Sequence, residues 1–237
     1  MKNLIKSESA ASGAIGFALI FSIILISIGM VYVGGVPVLE NTQKNTHFMQ
    51  MEQSFGLMSD NINKVGFERA PVRNTELKIK GGTLTISHNS SITVNGTTFA
   101  LGSIEYEFGE KILAYENGGL WTKYRDSTVV IISKPFISMG NLTTISAFSL
   151  IGSNSIGGEG IVRINSKFDS SYLYTLYPEN GNISFVIKSD YYKGWANYME
   201  EIGSNIIQID DANNTVSGNI TANRINVDYN LIQTTIV

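Results

Sequence analysis

Hydrophobic and polar positions follow three successive patterns along the chain. Residues 14–34, AIGFALIFSIILISIGMVYVG, contain no charge. At about 1.5 Å of rise per residue, such a helix matches the roughly 30 Å hydrocarbon core of a bilayer. Further on, Phe48, Met51, Phe55, Met58, Ile62 and Val65 recur at alternating steps of three and four. That spacing predicts one apolar stripe on an amphipathic helix, with Gln50, Glu52, Gln53, Asp60 and Lys64 on the other faces. Gly34, Gly35 and Pro37 lie between the two segments and predict a kink or short break, and Gly66 and Pro71 predict the end of the second helix.

After residue 75 the period shortens to two and the chain reads as strands. Segments 77–80 and 83–87 flank Gly81-Gly82, and segments 91–94 and 97–101 flank Asn95-Gly96, both of them two-residue hairpin signals. Segments 104–108 and 111–115 follow around Gly109-Glu110. Next come 121–125 and 129–133, then 135–139, 142–151, 160–164 and 184–188. Segments 206–209, 215–220 and 225–236 complete the series. Residues 190–202 break the pattern, because Tyr191, Trp195, Tyr198 and Met199 share a helical face ahead of Gly203. The expectation is a mainly β protein with a long N-terminal helix. It comprises a short leader (1–13), a transmembrane or filament-core helix (14–35), an amphipathic stalk helix (38–66) and an antiparallel β-sandwich-like domain (75–237) with one short helix near its C-terminal end.

Charge gives this layout a direction. Lys2 and Lys6 precede the apolar run, and Glu40 and Lys44 follow it. The bias predicts a single span with the N-terminus cytoplasmic and the β domain outside. A cleaved secretory signal is the alternative; it wants a shorter apolar region and a small-residue cleavage site, of which residues 33–37 offer a poor version. A net charge of -3 without clustered Lys and Arg argues against nucleic acid as a partner. With no cysteine, thiol chemistry, iron–sulfur clusters and cysteine–zinc sites are excluded.

Candidate chemistry is sparse. His47 and His88 are the whole imidazole supply and lie far apart, His47 on the polar side of the stalk helix. Glu105 and Glu107 alternate onto one strand face near Glu110, the pattern of a solvated strand face. Residues 210–214, Asp-Asp-Ala-Asn-Asn, read as a hairpin tip and lack the EF-hand spacing. Gly157-Gly158-Glu159-Gly160 reads as a glycine-rich turn, without the Lys-Ser/Thr of a phosphate loop. No catalytic, cofactor-binding or metal-ligating residue is assigned. Asn-x-Ser/Thr sequons stand at Asn89, Asn95, Asn141, Asn182, Asn213 and Asn219, in turn-like contexts on the side expected outside, where glycosylation is chemically open. Tyrosines recur near turns, at Tyr172, Tyr174, Tyr177, Tyr191 and Tyr192, either as packing or as a partner surface.

The charged N-terminus, the run Ala10-Ala11-Ser12-Gly13-Ala14-Ile15-Gly16-Phe17, the apolar helix, the amphipathic helix and the β domain together resemble archaeal type IV pilin-like proteins. The blocks Tyr115-Glu116-Asn117-Gly118-Gly119 and 191–198 (YYKGWANY) look like those of an uncharacterised single-anchor archaeal subgroup with this layout. The resemblance implies a surface subunit without enzymatic activity. It implies processing by a prepilin-type peptidase near Ser12, Gly13 and Ala14, and a membrane helix opening at Ala14, Ile15, Gly16 and Phe17. Membrane lipid and either further copies of the chain in a filament or cell-envelope proteins are the implied partners. Gly16 and Gly29 would permit close helix approach. Many pilins carry a Glu five residues into the mature helix; cleavage after Gly13 places Ala18 there.

Overall fold

The computed structural model describes residues 2–178 and 181–237, and the backbone alone for residues 2–12. It divides into two compact units, residues 1–49 and 50–237. A single helix, α1 (Lys2–Phe67), occupies the first unit and opens the second. The break expected at Gly34–Pro37 does not occur, since Pro37 lies inside the helix. Proline removes one i→i−4 hydrogen bond, the one to the Val33 carbonyl, and the helix continues on both sides of it. The hydroxyl of Thr42 donates to the Val38 carbonyl (2.8 Å) one turn later.

Among the described residues, fourteen strands and one short helix follow. The first seven are β1 (Val72–Ser87), β2 (Ser91–Val94), β3 (Thr97–Ala100), β4 (Ser103–Phe108), β5 (Lys111–Glu116), β6 (Gly119–Tyr124) and β7 (Val129–Ser133). Then come β8 (Ile137–Ser138), β9 (Leu142–Ile151), β10 (Ser155–Leu176) and β11 (Asn182–Lys188). Helix α2 (Tyr192–Glu201) precedes β12 (Asn205–Asp210), β13 (Thr215–Thr221) and β14 (Arg224–Ile236). They form a nine-stranded sheet, β7-β6-β5-β4-β1-β10-β14-β9-β8, and a five-stranded sheet, β12-β13-β11-β2-β3. The chain is thus a long N-terminal helix followed by a mostly β domain with two sheets and a short helix late in the sequence.

Three expectations change. Gly81-Gly82 is not a hairpin turn: β1 runs through it and stays paired with β10 on both sides, the register shifting between Lys80 and Thr83. Both glycines have positive φ (85° and 79°), and a Cβ on Gly82 would collide with the Glu107 carbonyl oxygen, so the pair forms a bulge that only glycine fits. Gly157–Gly160 is likewise strand, not turn, because its backbone pairs with β1. Nor is the domain wholly antiparallel, since β14 and β9 run parallel from Arg224↔Leu142 to Gln233↔Ile151.

Within the second unit the nine-stranded sheet is covered on both faces where β5 runs, and β5 is buried at consecutive positions from Leu113 to Glu116. On one face lies the end of α1. A Cβ on Gly66 would stand 2.5 Å from the Phe148 ring, the Phe67 and Phe148 rings meet edge to face at 5.0 Å, and the Tyr115 hydroxyl donates to Asn63 Oδ1 (3.1 Å). On the opposite face the five-stranded sheet and α2 close a core of Ala114, Trp121, Ile145 and Ala147 with Phe185, Ile187, Val216 and Trp195. Alternation along β5 and β9 sorts these contacts: Tyr115 and Phe148 point to the helix, Ala114 and Ala147 to the second sheet. Each fully buried Val, Ile or Phe side chain of this core contributes about 1.5–3 kcal/mol.

Candidate functional site

The first unit presents an apolar surface. Ile15 (62% exposed), Phe17, Leu19, Ile20, Ile23, Leu25, Ile28 and Met30 all lie open on the helix. The hydroxyls of Ser22 and Ser27 within this run donate to the carbonyls of Ala18 and Ile23 (both 2.7 Å), so the helix exposes few unsatisfied polar groups. By length and composition this is one helix able to cross a membrane. Of the predicted processing region, Gly13 and Ala14 are exposed helical positions, while the Ser12 side chain lies outside the described residues. Gly16 and Gly29 meet nothing within 4 Å of a notional Cβ.

The stripe residues Phe48, Met51, Phe55, Met58, Ile62 and Val65 are all buried. His47, expected on the polar side, is buried as well (7% exposed). Leu57, which the period leaves off the stripe, is 65% exposed.

A polar knot inside the β domain was not expected from the sequence. Glu116, at the end of β5, is 1% exposed. Its Oε1 accepts the hydroxyl of Ser189 and the indole N–H of Trp195, both at 2.7 Å, and its carbonyl accepts the indole N–H of Trp121 (3.3 Å). The fold therefore joins the two sequence blocks 115–119 and 191–198 through one carboxylate. Burial pushes its pKa up to about 7, against the opposing effect of the Trp195 and Ser189 hydrogen bonds. Glu105 on neighbouring β4 is raised too, chiefly by burial, although Ser103 donates to it (2.6 Å) and Tyr191 hydrogen-bonds it. The Tyr191 phenol is held well above its ordinary value by burial and by these two carboxylates. Asn117 follows at a φ of 52° in the tight turn to β6, and its Oδ1 accepts the Phe148 N–H (2.8 Å). Strand alternation places Glu116 on the face of Ala114, which packs into the core, and that was the available signal.

The other carboxylates do not join this knot. Glu110 pairs with Arg125 at the surface, and Glu107 is exposed. His88 Nε2 sits against the Gly152 carbonyl, far in sequence from His47. At the 210–214 tip, Asp210 accepts the backbone N–H groups of Ala212 (2.9 Å) and Asn213 (3.2 Å), and Asp211 accepts the Tyr192 hydroxyl (2.7 Å). An open groove of about 630 Å³ runs beside this tip, lined by Asp126, Thr128, Lys193, Asn197, Ile209 and Asp211. Among the described residues no three His, Asp or Glu side chains converge as a metal site would require.

Of the sequon asparagines, Asn89, Asn95, Asn141, Asn182 and Asn213 are exposed and Asn219 is half-buried. Asn95 opens the β2–β3 turn at a φ of 49°, followed by Gly96 at 79°.

A family model described as a family of unknown function (DUF7289) matches residues 10–235. The chain is also similar to an uncharacterized protein of Archaeoglobus fulgidus, 20% identical over 223 residues that cover 82% of each chain. No solved structure matches. The family match takes in the apolar helix and nearly all of the two-sheet domain, and the chain belongs to the DUF7289 family.

Proposed function

We propose that the chain is a non-enzymatic, type IV pilin-like surface subunit, whose N-terminal helix anchors it in the membrane or packs in a filament and whose β domain is exposed outside the cell. The exposed apolar surface from Ile15 to Met30 carries this reading, because such a surface is stable against lipid or against like helices and costly in water. Lys2 and Lys6 ahead of the run favour a cytoplasmic N-terminus. The reading assigns no catalytic residue, cofactor or metal.

A permanently anchored protein that binds a cell-envelope partner without assembling is the second reading. Ala18 favours it, since a carboxylate there would pair with a neighbouring subunit's new amino terminus and an alanine cannot. Intact mass and N-terminal sequencing of the protein from its native membrane or from shed surface material separates the two. A new terminus between Lys6 and Ala14, with the apolar helix retained, supports processing and assembly. A terminus at Met1 or Lys2 overturns the processed subunit in favour of the fixed anchor. A terminus beyond Gly34 overturns both and leaves a removed signal peptide.

A further inference from the structure

In the five-stranded sheet, β11 and β13 turn one face to the core and build most of the other from amides and hydroxyls. On β11, Ile183, Phe185 and Ile187 are buried while Asn182, Ser184, Val186 and Lys188 are exposed. Beside them on β13, Thr221, Asn219 and Ser217 pair in register with Asn182, Ser184 and Val186. Val186, at 39%, is the exposed large apolar side chain of β2, β3, β11 and β13, and the edge strand β12 adds Ile207 (63%) and Ile209 (50%). This polar face lies on the side of the domain away from the α1 residues packed on the nine-stranded sheet.

Five of the six sequons belong to this sheet or its turns: Asn89 precedes β2, Asn95 and Asn213 sit in hairpin turns, and Asn182 and Asn219 are strand residues. The remaining sequon, Asn141, precedes β9 of the larger sheet. The larger sheet also carries Asn74-Thr75 and Asn165-Ser166, and Asn154-Ser155 leads into it, yet in each the hydroxyl is one residue too early and Glu76, Lys167 or Ile156 takes the sequon position.

We propose that the outer face of the five-stranded sheet is an N-glycosylated face, with Asn95 and Asn182 as its principal acceptors. The donor class is a polyprenyl phosphate-linked oligosaccharide. The amide Nδ2 attacks the anomeric carbon and a C–N bond forms. The C–O bond to phosphate breaks with its electron pair leaving on the lipid phosphate, and the amide proton passes to a base of the transferase. Geometry ranks the sites. Asn95 projects from a two-residue turn with Thr97 exposed beside it. Asn182 fixes its amide by accepting the Thr221 hydroxyl at Oδ1 (2.8 Å), a bond that leaves Nδ2 uncommitted. Asn213 donates its Nδ2 to Asp210 Oδ2 (2.7 Å), which occupies the nucleophile, and Asn219 is half-buried.

The proposal rests on the surface reading above, so its test pairs two measurements on native protein: protease shaving of intact cells, and peptide mass mapping of the released domain. Sugar-sized mass increments on the peptides holding Asn95 and Asn182, with Asn213 unmodified, are the expected result. Thr97→Ala and Ser184→Ala should each remove one increment while leaving the asparagine and the fold in place. A domain that is shaved from cells but unmodified at Asn95 and Asn182, or modified at Asn213 instead, overturns the glycan face alone. A domain that the protease does not reach overturns the surface reading and this one with it.

Discussion

Glu116 sets a buried carboxylate at the centre of the polar knot, where burial raises its pKa to about 7. A carboxylate whose folded-state pKa lies above its unfolded value is held more easily protonated than charged. Its contribution to stability is therefore complete below the unfolded value near 4.5 and is lost as pH rises through about 7. The size of that loss is roughly 3 kcal/mol between pH 4.5 and 8. Glu116→Gln keeps an oxygen to accept from Ser189 and Trp195 and removes the titration. Urea denaturation of the full chain in detergent should show a pH slope in the wild type that is absent in the variant; equal slopes in both would contradict the assignment. Little of this was legible in the sequence, because Leu113, Ala114, Tyr115 and Glu116 are buried in succession. Two-sided burial erases the alternation that marks an outward-facing acid. The Asn95-Gly96 turn, by contrast, was legible, since its positive φ values demand those residue types.

At the scale of elements, the stripe on α1 carries the sharpest mutational contrast. Phe55 is fully buried and Leu57, two residues on, is 65% exposed. Phe55→Ala should cost about 3–5 kcal/mol in a denaturant titration, and Leu57→Ala less than about 0.5 kcal/mol. Similar losses at both would mean that the helix does not dock through this stripe. Two elements were misread for a shared reason. Gly81-Gly82 in β1 and Gly157–Gly160 in β10 carry the composition of turns, and what makes them strand is that they face one another across a long ladder, Lys80↔Glu159 and Thr83↔Gly157. Pairing between residues this distant in sequence overrides local preference, and a local window does not contain it. The ladder with β1 and the one with β14 together extend β10 from the expected 160–164 to Ser155–Leu176.

For the molecule as a whole, the order of helix, long sheet, short helix and last strands was readable from periodicity, because the apolar period changes cleanly from 3.6 to 2 near residue 75. The partition of fourteen strands into sheets of nine and five was not, nor was the parallel neighbour of β14. That strand has a kinetic consequence. It lies between β10 and β9, and its first partner on β9, Leu142, lies 82 residues before Arg224 (224 − 142). It is also made after every other strand of the sheet. Until it arrives, β10 and β9 present two facing rows of unpaired amides and carbonyls with a vacant slot between them. A chain fed end-first through a membrane channel would thus keep its larger sheet unclosed until the final strand had crossed, and contacts this distant in sequence close slowly. Chains halted before Arg224 should remain sensitive to protease along β8 and β9, and those extended through Ile236 should become resistant. A copy that stops short of this strand leaves the backbone groups of β10 and β9 that face β14 without those partners.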